Sequence, residues 1–402
     1  MFVGLTNTPR DYAWGSSTAI ADLLGRAPSG GPEAEYWLGT HPGSPTRVLD
    51  PAPGGASTLA DLTHLPFLLK VLAADEPLSL QAHPNPAQAR AGFDRENALG
   101  IPLDSPLRSY RDALPKPELI FAISSEFSAL CGFRPVSETR ELLSRLGGDA
   151  AVRDLLARLP DDAALAEAFA WLFSRSQEVQ NLVERVTALA VGRSEPEFAL
   201  VGALARKYPG DPGVVVALLL NYVVLEPGQV LYLPAGNIHM YLKGVGIELM
   251  AASDNVLRGG LTPKHVDVPQ LLAVLDFTPV PVPFLAPSLA APGLRVFSPD
   301  VPDFELAVVQ PEGAPVRFEP PGESILLVTE GSFRVRGSLS AVGLGRGESA
   351  WVTHDEGVLE FDGDGTLFVA TTNAAAPASA PAPPSAPAPP SAPAPPSAPA
   401  PL

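Results

Sequence analysis

Two short stretches, far apart in the chain, carry side chains able to bind a metal ion. In Leu80-Gln81-Ala82-His83-Pro84-Asn85, Gln81 and His83 stand two residues apart, so on an extended strand both leave the same face. In Leu233-Pro234-Ala235-Gly236-Asn237-Ile238-His239 a second histidine follows a Pro-Ala-Gly turn. Between them, Lys116-Pro117-Glu118 supplies a carboxylate. Gln81, His83, Glu118 and His239 can complete a set of two nitrogens and two oxygens. That mix suits a borderline divalent ion such as Zn²⁺, with room left for water or a substrate. Glutamine is a neutral ligand, so the ion stays more electrophilic than it would beside two carboxylates. His41 and His64 are the alternative ligands, but neither has a ligand partner at strand spacing.

These residues need a scaffold, and the chain of 402 residues is long enough for two or three domains with their own cores. Hydrophobic residues make up 46% and charged residues 18%, a globular rather than a disordered balance. No long uncharged apolar run predicts a membrane helix, and the first ten residues lack the pattern of a secretory signal. A single cysteine, Cys131, excludes an intrachain disulfide and fits the reducing cytoplasm. The net charge of −17 argues against nucleic acid as a partner. It also makes basic residues conspicuous where they gather, as Lys70, Lys116, Arg258 and Lys264 do near the motif segments.

Short apolar runs separated by Pro and Gly, such as 66–72 and 119–123, predict an all-β sandwich or barrel over 1–135. From 136 to 222 apolar positions recur at three and four residues, which predicts a helical insertion. Ser137 and Ser176 are candidate helix caps. Strands resume over 223–275, and a second β region covers 276–373. Within it, Glu330-Gly331-Ser332 and Asp362-Gly363-Asp364-Gly365 read as turns, and His354 is the sole histidine. The fold expected is mainly β: a catalytic domain of 1–135 plus 223–275, a helical insertion of 136–222, and a C-terminal domain of 276–373 without its own metal. From 374 to 402 only Ala, Pro, Ser and a final Leu occur, the composition of an extended tail dispensable for folding.

Several ordered segments closely resemble the type I phosphomannose isomerases, or mannose-6-phosphate isomerases. They include Phe67-Leu68-Leu69-Lys70-Val71-Leu72, Leu78-Ser79-Leu80-Gln81-Ala82-His83-Pro84-Asn85, Lys116-Pro117-Glu118, Pro234-Ala235-Gly236-Asn237-Ile238-His239, and the run from Met250-Ala251-Ala252-Ser253-Asp254-Asn255 through Arg258 to Lys264. The likeness spans roughly residues 1 to 373. It implies two cupin-type jelly rolls, one Zn²⁺ per chain on Gln81, His83, Glu118 and His239, and a monomer acting on a small sugar phosphate. It further implies phosphate recognition by Lys70, Ser79 and Lys264, and a place for Arg258 near the reacting carbons.

The implied reaction, mannose 6-phosphate to fructose 6-phosphate through a cis-enediol, needs a base for a proton beside a carbonyl. Lys116, Glu248 and Asp254 are the candidates. The family usually has His immediately before Lys-Pro-Glu, whereas this chain has Pro115, so another group must take any part that histidine plays. A non-haem iron cupin oxygenase and a non-catalytic sugar-binding cupin are the competing readings. The glutamine ligand and the gathered basic residues count against the first, and only Pro115 favours the second.

Overall fold

The computed structural model describes residues 1–51 and 54–373, so the tail expected from 374 onward lies outside the described residues. The strands are antiparallel throughout and form two extended sheets. Strand Phe67–Ala74 is buried along its whole length: every residue but Lys70 is apolar, and the Lys70 charge is met by carboxylates. Each Leu, Val or Phe so buried contributes roughly 1.5–3 kcal/mol.

The central element of the first sheet is the 13-residue strand His239–Ala251. Its first half pairs with Phe127–Phe133, and its second half with Phe67–Ala74 and Glu118–Ala122. The switch falls at a register shift between Tyr241 and Lys243, followed by Gly244 at φ +125°. A Cβ on Gly244 would lie 2.7 Å from the Glu126 carbonyl oxygen, so only glycine lets the strand turn there.

Helices occupy the insertion as the apolar spacing predicts, among them Val136–Ser144, Ala150–Arg158 and Gln177–Ala190. Ser176 caps the last of these through Val179 N. Ser137 caps nothing: the first helix already begins at Val136, whose amide is taken by the Asp162 carboxylate at 2.8 Å. That partner is 26 residues away and invisible to a local reading.

The C-terminal region departs from expectation at its glycines. Gly331 and Gly365 lie inside the 13-residue strands Ser324–Arg336 and Leu359–Thr371, directly opposite one another. Both have positive φ, and a Cβ on either would come within about 2 Å of the facing backbone. The two glycines therefore bend a continuous strand pair instead of ending it. Strand Phe2–Thr6, at the other end of the chain, pairs with Ser349–Val352 and so joins the C-terminal sheet, with Arg47–Val48 on its other side. A shared core joins the sheets, with Leu38, Phe67 and Leu249 packed in one cluster with Phe297, Leu327 and Phe368.

Candidate metal centre

Strand register assembles the site. Gln81 pairs with His239 on one side and with Arg258 on the other. Directly opposed residues present their side chains to the same face, so the amide, the ring and the guanidinium share one surface. Glu118 sits opposite Met250 and Leu233, while Glu248 sits opposite Lys70. Alternation then turns Glu118, Glu248 and Lys70 to the same interior.

His83, Glu118 and His239 converge, each offering one ligand atom within 4.8 Å of the others. His83 Nε2 is 3.3 Å from Glu118 Oε2, and His239 Nε2 is 2.9 Å from Glu118 Oε1. The Gln81 amide stands 3.3 Å from His239 Nε2, and a half-turn of its last bond exchanges nitrogen for oxygen there. Each ring is aimed by its other nitrogen. His83 Nδ1 lies 2.7 Å from the Asn255 carbonyl oxygen, and His239 Nδ1 lies 3.0 Å from that of Asn237. A carbonyl only accepts, so both protons sit on Nδ1 and both Nε2 lone pairs face Glu118. Two freed imidazole nitrogens, a carboxylate and an amide, all directed at one point, fit a divalent ion.

Lys116 Nζ donates to Glu118 Oε2 at 2.6 Å and lies 3.3 Å from His83 Nε2. Burial raises the Glu118 carboxyl, but Lys116, His83 and His239 outweigh it and hold it well below its usual range. Burial, and then the Lys116 charge, push His83 down to about 4 from 6.5. The folded chain thus binds fewer protons at His83 than the unfolded chain between those values. The stability linked to this neutral ring should be complete above pH 6.5 and lost as pH falls toward about 4. The thermal midpoint of chelator-treated protein, followed across that interval, provides the check. A midpoint insensitive to pH there would contradict a neutral buried ring.

The remaining residues fall into two groups. Lys70 Nζ is held by Glu248 at 2.7 Å and faces Glu35 at 3.6 Å, beneath the Trp37 ring. Burial opposes its charge, but these carboxylates raise it overall, so the ammonium stays protonated. Ser79 and Lys264, by contrast, line a cleft of about 720 Å³ with Tyr12, Trp14 and Lys207. Lys70 is not among that cleft's lining residues. Arg258 and Lys264 have no side-chain hydrogen bond or ion pair among the described residues. Partial burial lowers both, and Arg111 adds its repulsion to each. Arg111, Arg258 and Lys264 thus gather in a chain of net charge −17, and among the described residues neither Arg258 nor Lys264 is ion-paired, although Glu76 and Asp211 line the same cleft as Lys264.

His41 is not drawn to the ligand cluster. Its Nδ1 accepts from Gly43 N at 3.0 Å and its Nε2 faces the Asp254 carboxylate at 3.3 Å; His64 is exposed. Sequence reasoning passed over Tyr241, whose hydroxyl is 3.4 Å from Glu118 Oε1. Its two-residue spacing from His239 was the available signal. It also passed over Arg111 and Asn255, whose importance comes from neighbours more than a hundred residues away.

Antiparallel sheets around a two-histidine, one-carboxylate cluster, with a further β region packed behind, define a metal-binding cupin. A family model described as the catalytic domain of type I phosphomannose isomerase matches residues 2–136. The mannose-6-phosphate isomerase of Salmonella typhimurium is 36% identical over 383 residues, covering 90% of this chain and 97% of that protein. That of Homo sapiens is 34% identical, covering 80% of this chain and 86% of its own length. A solved zinc-bound mannose 6-phosphate isomerase superposes with a TM-score of 0.84 at 34% identity, covering 92% of this chain and 99% of that one. The likeness therefore runs through both β regions and the insertion. The chain belongs to the type I phosphomannose isomerase family.

Proposed function

We propose that this protein is a zinc-dependent isomerase interconverting mannose 6-phosphate and fructose 6-phosphate in the cytoplasm, acting as a monomer. The observation that carries this reading is the register that sets Gln81 between His239 and Arg258. That register supports the reading because the candidate ligands Gln81 and His239 then share a face with Arg258, which has no side-chain partner among the described residues. Gln81, His83, Glu118 and His239 would hold the ion. When bound, Zn²⁺ polarises sugar oxygens and favours the charge that develops on them.

The chain's own groups account for the rest. Ser79 and Lys264, on the cleft wall, take the phosphate, with Arg258 close by. Lys70 supports this from the interior by balancing Glu248 and Glu35, not by direct contact in the cleft. Arg258 offers fixed donors to an oxygen gaining negative charge. Proton transfer falls to Lys116 or Glu248, with Asp254, backed by His41, at the half-exposed rim. Loss of C2-proton exchange with solvent in Lys116→Ala or in Glu248→Gln would identify the base. Undiminished exchange in both would leave Asp254 or a water held at the metal site.

A coupled assay with mannose 6-phosphate, with and without chelator, tests the whole reading; turnover indifferent to complete metal removal would reject it. Lys264→Ala is expected to raise KM for the phosphorylated sugar by about tenfold or more, the scale of a lost charge-assisted hydrogen bond. Free mannose should be little affected. Equal effects on both sugars would make Lys264 a solvated surface charge.

A further inference from the structure

The two histidines are aimed by carbonyls of different origin. His239 uses Asn237, two residues away on its own chain segment, whereas His83 uses Asn255, 172 residues away. The direction of the His83 lone pair thus depends on what fixes Asn255. Asn255 is fully buried and its side chain is saturated. Its Oδ1 accepts from Arg111 N at 2.7 Å and Asp112 N at 3.2 Å. Its Nδ2 donates to Asp112 O at 2.9 Å, Asp112 Oδ1 at 3.2 Å and Leu114 O at 2.9 Å. The segment so gripped runs directly into Lys116 and Glu118. Ser253 Oγ reinforces it, bonding Asp112 Oδ1 at 2.8 Å and receiving Asn255 N at 3.2 Å.

We propose that Asn255 is a positioning residue for the metal centre. Its side chain locks segment 111–114, and its carbonyl orients His83, so that the nitrogen ligand and the approach to Glu118 are held as one unit. The amide is suited to this because it accepts and donates at equal reach. A carboxylate there would turn its second oxygen against three other oxygens. The same grip fixes the backbone of Arg111, so the cation cluster is tied to the metal ligands.

This inference rests on the metal reading above, and the test separates the two. Zn²⁺ affinity is measured by competition with a chromophoric chelator for the parent chain, Asn255→Ala, Asn255→Ser and Leu326→Ala. Leu326 is buried in the C-terminal sheet, away from the site, so its variant reports a general loss of stability. Asn255→Ala is expected to weaken Zn²⁺ binding by about 10- to 100-fold, the range for groups that orient metal ligands, and to raise KM for mannose 6-phosphate. Leu326→Ala should leave Zn²⁺ affinity unchanged. Zn²⁺ affinity of Asn255→Ala within about threefold of the parent would overturn the proposal. If the alanine chain does not fold, Asn255→Ser is judged by the same threshold. A parent chain that binds no Zn²⁺ would reject the metal reading itself.

Discussion

His83→Ala protein is expected to carry roughly a tenth or less of the parent's zinc and to lose kcat by on the order of 10³. His83 contributes a buried nitrogen, 3.3 Å from Glu118 and already aimed by Asn255. Alanine leaves a small void and removes one of only two strong neutral donors, because the Gln81 amide is a weaker ligand. Glu118 would then keep Lys116 as a neighbour at 2.6 Å, and the carboxylate would be neutralised by the lysine instead of a metal ion. The magnitude follows from losing several kcal/mol of electrophilic assistance to the developing enediolate. Elemental analysis beside steady-state rates decides the matter. His41→Ala serves as the control: its ring is committed to Gly43 and Asp254, so zinc content should not change. Stoichiometric zinc and full activity in His83→Ala would remove it from the ligand set.

Arg258→Ala should lower kcat on the order of 10² or more while leaving zinc content intact. The strand pair that places Arg258 opposite Gln81 sets its donors on the ligand face without making it a ligand. Partial burial and the nearby Arg111 both disfavour its charge, and no carboxylate among the described residues relieves it. A substrate oxygen gaining negative charge would supply the missing counter-charge, most strongly in the transition state, so the loss should appear in kcat more than in KM. A variant with raised KM and unchanged kcat would instead make Arg258 a ground-state phosphate contact.

Much of this site was legible in the sequence because strand parity is a local property. Gln81 and His83, two residues apart, had to share a face if their segment was extended, and Ser79 belongs to the same series. The helical insertion was legible for a similar reason, since the 3.6-residue period appears within a dozen positions. The family segments then joined Glu118 and His239 to the first pair. What resisted reading was the identity of each side chain's neighbour. The resemblance implies phosphate recognition by Lys70, but no local spacing shows that strand pairing sets it against Glu248, 178 residues away. Gly331 and Gly365 looked like two turns until each was found facing the other across a continuous ladder.

The sequence by itself therefore determined which residues are candidates for binding and which of them share a face, because spacing along a strand or helix controls direction. Tertiary structure alone decided which cations stay unpartnered among the described residues, which carbonyl aims each histidine, and that Phe2–Thr6 joins the C-terminal sheet. These depend on strand register and on contacts across hundreds of residues. No local spacing encodes them, because charge pairing and hydrogen bonding act through space and not along the chain.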